Sequence, residues 1–104
     1  MGDLEKTDAE FLIFKGANDL SLKKKGVDSI ILGKDKLLEA LGEEGVTMKK
    51  IAFVLEGSDE RNETLKERVG VPENLSIGAV SGVVQDEIVK ALFDKRQQDD
   101  KLVS

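Results

Sequence analysis

Neither cysteine nor histidine occurs anywhere in the 104 residues. Without cysteine there is no disulfide framework, thiolate zinc site, iron–sulfur cluster or cysteine nucleophile. Without histidine the commonest general base and metal ligand is missing, so a Ser-His-Asp triad cannot be assembled. No apolar run approaches the ~18 residues of a membrane span. The start, MGDLEK, carries no apolar secretory core, and Lys6 stands where a myristoylation signal needs Ser or Thr. The expected setting is therefore the cytoplasm, away from membranes. Positive charge is also scarce: 16 Lys and Arg stand against 21 Asp and Glu, a formal charge of -5. Affinity for nucleic acid comes largely from cations neutralising phosphates, so nucleic acid is an unlikely partner. The one basic run, Lys23 to Lys25, is interleaved with no aromatic residue.

What remains is a chain of single-domain length, with 39% hydrophobic and 36% charged residues. A chain of this size buries roughly two-thirds of its unfolded surface on folding. Four apolar runs punctuate it: FLIF at 11–14, SIILG at 29–33, IAFVL at 51–55 and SIGAV at 76–80. Each is continuous rather than alternating, the pattern of parallel strands buried on both faces. Helical spacing fills the gaps. KDKLLEALGEEG sets Leu37, Leu38 and Leu41 on one face, SDERNETLKERVG sets Leu65 and Val69 one turn apart before Gly70, and VVQDEIVKALFDK groups Val84, Ile88, Ala91 and Leu92. ANDLSLKKKG, the first connection, is short and poorly periodic and reads as a weak helix.

The two halves of the chain also echo each other. FLIFKG, SIILG and LLEAL run in parallel with AFVLEG, SIGAVSG and IVKAL, which suggests two βαβα half-repeats. The expected fold is a single four-stranded, mostly parallel α/β sheet of Rossmann-like or flavodoxin-like kind, in the order 2-1-3-4 with helices on both faces. The domain would occupy residues 9–96, with polar tails at 1–8 and 97–104.

In such a sheet the ligand crevice lies at the carboxyl ends of the strands where the order reverses, here between FKGAND and LEGSDERN. The candidate ligand-binding residues are Lys15, Gly16, Asn18, Asp19, Glu56, Gly57, Ser58 and Arg61. Asp19, Glu56 and Asp59 are hard oxygen donors that could hold Mg²⁺, although no D-x-D spacing fixes them as a set. Two readings compete at GSDERN. Ser58 as N-cap, with Asp59 and Glu60 at the positive end of a helix dipole, explains the local acids. An anion held by free N–H groups, Ser58 and Arg61 would be repelled by those acids. Lys15 and Glu56, each just before a glycine, would form a partly exposed ion pair across the central strands. No GxGxxG or Walker pattern is present, so no nucleotide cofactor is implied.

LEGSDE resembles the Glu-Gly opening of toprim phosphotransfer domains, but the later Asp-x-Asp of that family has no counterpart after Ser76. Receiver domains fit no better, since Lys15, Gly16 and Ala17 stand where their acidic pair belongs. The chain is accordingly expected to be a non-enzymatic binding or regulatory module with no cofactor, open to self-association or to a protein partner. The alternatives are a small-anion or Mg-assisted enzyme or sensor in the Gly16/Gly57 crevice, and a structural subunit of a larger assembly.

Overall fold

The computed structural model describes residues 9–16, 19–71 and 77–103, with residues 96–103 described for their backbone alone. Four strands form one sheet: β1 (Phe11–Lys15), β2 (Leu20–Lys24), β3 (Ile30–Leu32) and β4 (Ile51–Phe53). Among the described residues three helices accompany them: α1 (Lys34–Glu43), α2 (Asp59–Val69) and α3 (Gly82–Val103). A single 3-10 turn, Met48–Lys50, leads into β4.

The strand order is β3-β2-β1-β4. β1 pairs antiparallel with β2, and β2 antiparallel with β3, while β1 and β4 run parallel, with Phe11 opposite Ile51 and Ile13 opposite Phe53. A mixed sheet with one parallel pair replaces the mostly parallel sheet in order 2-1-3-4 expected of a Rossmann-like or flavodoxin-like chain. The cause is local. Residues 20–24, expected to be helical, read Leu-Ser-Leu-Lys-Lys, and the period of two in Leu20-Ser21-Leu22 suits a strand, whose middle residues Ser21 to Lys23 are buried on both faces. Gly16 allows the tight turn before it, donating its N–H to the Asp19 carbonyl at 2.7 Å. A Cβ at Gly16 would lie 2.9 Å from that same oxygen and 2.9 Å from Ser21 Oγ. The first connection is thus a hairpin, and the two βαβα half-repeats do not exist: the first half of the chain is a three-stranded meander and the second is not.

The last apolar run is also not a regular strand. Gly78 makes one antiparallel bridge with Lys15, and Val80 makes one parallel bridge with Leu55. The segment fits between β1 and β4 where they part, and it bends between its two bridges. Ser76 of this run lies outside the described residues.

Alternation along β1 and β4 divides the core into two layers. Phe11, Ile13, Ile51 and Phe53 face α1 and α3, packing with Leu22, Leu37, Leu41, Val80, Ile88 and Leu92. Leu12, Phe14, Ala52 and Val54 face α2 and pack with Leu65 and Val69. β1 is continuous in hydrophobicity because both of its faces are covered, whatever the direction of its neighbours. α2 ends as its sequence implies, on Gly70 in the left-handed region (φ 82°), whose N–H donates to Lys66 O at 2.9 Å. α3 continues to Val103 through most of the segment set aside as a C-terminal tail, whereas residues 1–8 lie outside the described residues.

The basic run is split by the same alternation. Lys23 is buried, its ammonium donating to the carbonyls of Lys24 and Val27, while Lys24 pairs with Glu44 at 3.0 Å and lies over the Phe11 ring.

Burial predicts a contrast along α3. Ile88 is fully buried and Phe93 is 56% exposed. Ile88→Ala should cost about 2–5 kcal/mol in urea unfolding, and Phe93→Ala should stay within ~0.5 kcal/mol.

Candidate functional site

A cleft of about 530 Å³ opens at the carboxyl ends of β1 and β4. It exists because the two strands stop pairing there. Val54 N–H still reaches Ile13 O at 3.0 Å, but beyond it the chain turns away through Glu56 and Gly57, the latter at φ 78°. The backbone of Lys15 is then completed by Gly78, which exchanges bonds of 2.9 and 3.0 Å with it, and Val80 N–H donates to Val54 O at 2.6 Å. The inserted segment brings Ala79, Val80 and Ser81 to the cleft, together with Val84 and Glu87 from the first turns of α3. The meander contributes Lys15, Asp19 and Leu20, and the start of α1 contributes Lys34.

The charges in the cleft are mixed. Lys34 Nζ and Glu87 Oε2 pair at 3.1 Å, joining α1 to α3. Lys15 and Glu56 line the same cleft but form no ion pair, which corrects the expected bridge between them. They occupy successive walls of an opening that the inserted segment widens, and neither is drawn to the other across the strands. Asp19 likewise has no cationic partner among the described residues. Among the described residues Ser81 is the one hydroxyl on the wall, and it serves α3 as a cap: its Oγ accepts from Val84 N–H at 3.3 Å and its carbonyl from Gln85 N–H at 3.0 Å.

Of the sequence candidates, Lys15, Asp19 and Glu56 therefore meet in one cleft. Gly16 and Gly57 form the turns that carry them, and Asn18 lies outside the described residues. Ser58 does not behave as the expected side-chain cap; it makes no capping bond, and only its carbonyl enters the helix, accepting from Asn62 N–H at 2.8 Å. Its φ of -116° and ψ of 56° depart from the extended conformation in which an N-cap hydroxyl normally turns back to the helix. Arg61 faces a separate groove of about 170 Å³ beside β4, together with Phe53, Leu65, Gln85 and Val89. Asp59 does not line the main cleft, and no three acidic side chains among the described residues come together to hold a metal ion.

The decisive polar residue of GSDERN is Asn62, which sequence reasoning passed over. It is buried, and its amide holds the backbone of Leu55 from both sides: Nδ2 donates to Leu55 O at 2.5 Å and Oδ1 accepts from Leu55 N–H at 3.0 Å. These groups point to the outer edge of β4, where no strand lies, so a side chain does what a neighbouring strand would do. Lys34, Ser81 and Glu87 were also missed. A legible signal existed for Ser81, since Ser81-Gly82 directly precedes a helical pattern and a serine there is a capping residue.

No family model, curated protein or solved structure matches the chain.

Two substitutions separate the roles at this turn. Asn62→Ala leaves both backbone groups of Leu55 without their partners and should cost about 2–3 kcal/mol in denaturant unfolding. Ser58→Ala should change stability by less than ~0.5 kcal/mol, because no side-chain bond is lost.

Proposed function

We propose that the chain is a non-enzymatic binding module whose cleft takes a small aliphatic zwitterion of the amino-acid class. The observation that carries this reading is the charge left over on the cleft wall. Lys34 and Glu87 satisfy one another, which leaves one ammonium, Lys15, and two carboxylates, Asp19 and Glu56, without ionic partners among the described residues. A ligand with one carboxylate and one ammonium complements that set, with Lys15 meeting the first group and the acids the second. Leu20, Val80 and Val84 supply an apolar wall for an aliphatic side chain. A multiply charged anion such as phosphate would face two carboxylates against one free ammonium, so it is disfavoured.

The chemistry on the wall favours binding over catalysis. The one hydroxyl that the described residues bring to it is engaged as a helix cap, and the chain has neither histidine nor cysteine to activate a nucleophile. No described helix is long and apolar enough to cross a membrane. The reading assigns the protein to the cytoplasm, where free amino acids are abundant and a chain without cysteine needs no oxidising environment.

Titration of ¹⁵N-labelled protein tests the reading directly. Millimolar leucine, valine or alanine should shift amides at Lys15, Glu56 and Val80, and Lys15→Ala or Glu56→Gln should each reduce affinity by about tenfold or more. Inorganic phosphate and Mg²⁺ serve as the competing probes. Saturable shifts with either of these, and none with the amino acids, would replace this reading with the anion or metal alternative.

A further inference from the structure

The outer edge of β4 opens into the groove of about 170 Å³ that Arg61 faces, with Leu65 of α2 on one side and Gln85 and Val89 of α3 on the other. The pairing pattern shows which backbone groups this groove exposes. Val54 N–H, just past β4, bonds to Ile13 O, so the even-numbered residues here turn their backbone groups toward β1 and the odd-numbered ones turn theirs outward. Leu55 is closed on both sides by the Asn62 amide, and Ile51 N–H donates to Met48 O. Two acceptors and one donor are left over: the C=O of Ile51, and the C=O and N–H of Phe53, none of which has a backbone partner among the described residues. Arg61 is the one charged side chain that the described residues bring to the groove, and it has no ionic partner among them.

We infer that this groove binds the carboxyl-terminal end of an extended peptide from a partner protein, added to β4 as a short parallel strand with its terminal carboxylate on Arg61. The site is separate from the cleft and does not depend on what the cleft binds. Asn62 already makes the bonds that an added strand would need at Leu55, so such a strand can pair along Ile51 and Phe53 and must end there. The chain end that stops at Leu55 meets Arg61, the neighbour of Asn62. A guanidinium attracts a carboxylate and repels an ammonium, so that end is the carboxyl one and the peptide runs in the direction of β4. In this direction the three free groups are used in full. The third residue from the peptide's end donates its N–H to Ile51 O and accepts from Phe53 N–H, and the last residue donates its N–H to Phe53 O. Alternation then sets the middle side chain on the Phe53 face, toward Val89, and the other two on the Ala52 face, toward Leu65, which calls for apolar side chains throughout. So short a pairing binds weakly, in the millimolar range for an isolated tripeptide.

Titration of ¹⁵N-labelled protein with the blocked tripeptide acetyl-Ala-Leu-Ala, and with the same peptide amidated at its carboxyl end, tests the proposal. The free acid should give saturable shifts at the Phe53 amide and the Asn62 side-chain amide, and the Phe53 amide should gain protection from hydrogen exchange. The amidated peptide should bind about tenfold more weakly or worse. Arg61→Gln changes an exposed residue, so the fold is retained; it should weaken binding of the acid by a similar factor and remove the difference between acid and amide. Equal binding of the two peptides, or binding of the acid that Arg61→Gln leaves unchanged, would overturn the proposal. Shifts confined to Lys15, Glu56 and Val80 would place the peptide in the cleft and overturn it equally. So would an absence of saturable shifts at Phe53, or shifts there that grow with the protein's own concentration before any peptide is added, which would give the groove to a second copy of the chain.

Discussion

The backbone of Lys15 must find partners after β4 has turned away, and the way it does so governs the molecule. β1 is an inner strand, flanked by β2 along its whole length but by β4 only as far as Phe53 and Val54. Gly78 takes over from there, exchanging backbone bonds of 2.9 and 3.0 Å with Lys15. The insertion separates two parallel strands that would otherwise close on each other. It also brings in the start of α3, with Ser81 and Glu87, and so creates the cleft and its mixed charge together. Asn62 completes the arrangement from the outside, holding Leu55 where the outer edge of β4 has no strand to hold it.

Helices and buried faces were legible in the sequence because both follow from periodicity. Leu37 and Leu41, Leu65 and Val69, and Ile88 and Leu92 all lie in the core as their spacing requires. Strand direction was not legible from the same evidence. A continuous apolar run such as FLIF reports burial on both faces and is silent about neighbours, and here the neighbours of β1 run in opposite directions. The informative signal was the alternation in Leu20-Ser21-Leu22, preceded by Gly16 and Asp19 at hairpin spacing. Three positively charged residues after it obscured the strand, because a lysine is not expected inside a layer; Lys23 is buried there with its ammonium bonded to main-chain carbonyls.

The location of the cleft was more legible than its lining. Lys15, Asp19 and Glu56 were identifiable because side chains at the carboxyl ends of adjacent parallel strands share an end of the sheet, a rule that survives the change of topology around that one pair. Lys34 and Glu87 come from helices whose approach depends on how the chain crosses the sheet, and a wrong strand order removes the means of placing them. Ser58 and Asn62 show a different limit. Both are polar residues at the start of one helix, and composition alone favours the serine as cap, yet the tertiary position of Leu55 gives the bonding role to the asparagine.

The inserted segment also bears on the order in which the chain can assemble. The β1–β2 hairpin closes a short loop, and β3 and α1 follow it along the chain, so the meander gains its contacts at little cost in chain entropy. The bridge between Lys15 and Gly78 joins opposite ends of the sequence and must enclose nearly everything between them. It therefore carries the largest loop-closure entropy in the sheet, and it rests on single bridges, not on a ladder. Fluctuations that release Ile77 to Val80 would dismantle the cleft while leaving the meander and its hydrogen bonds in place. Whatever occupies that space thus meets a surface that only the completed fold possesses.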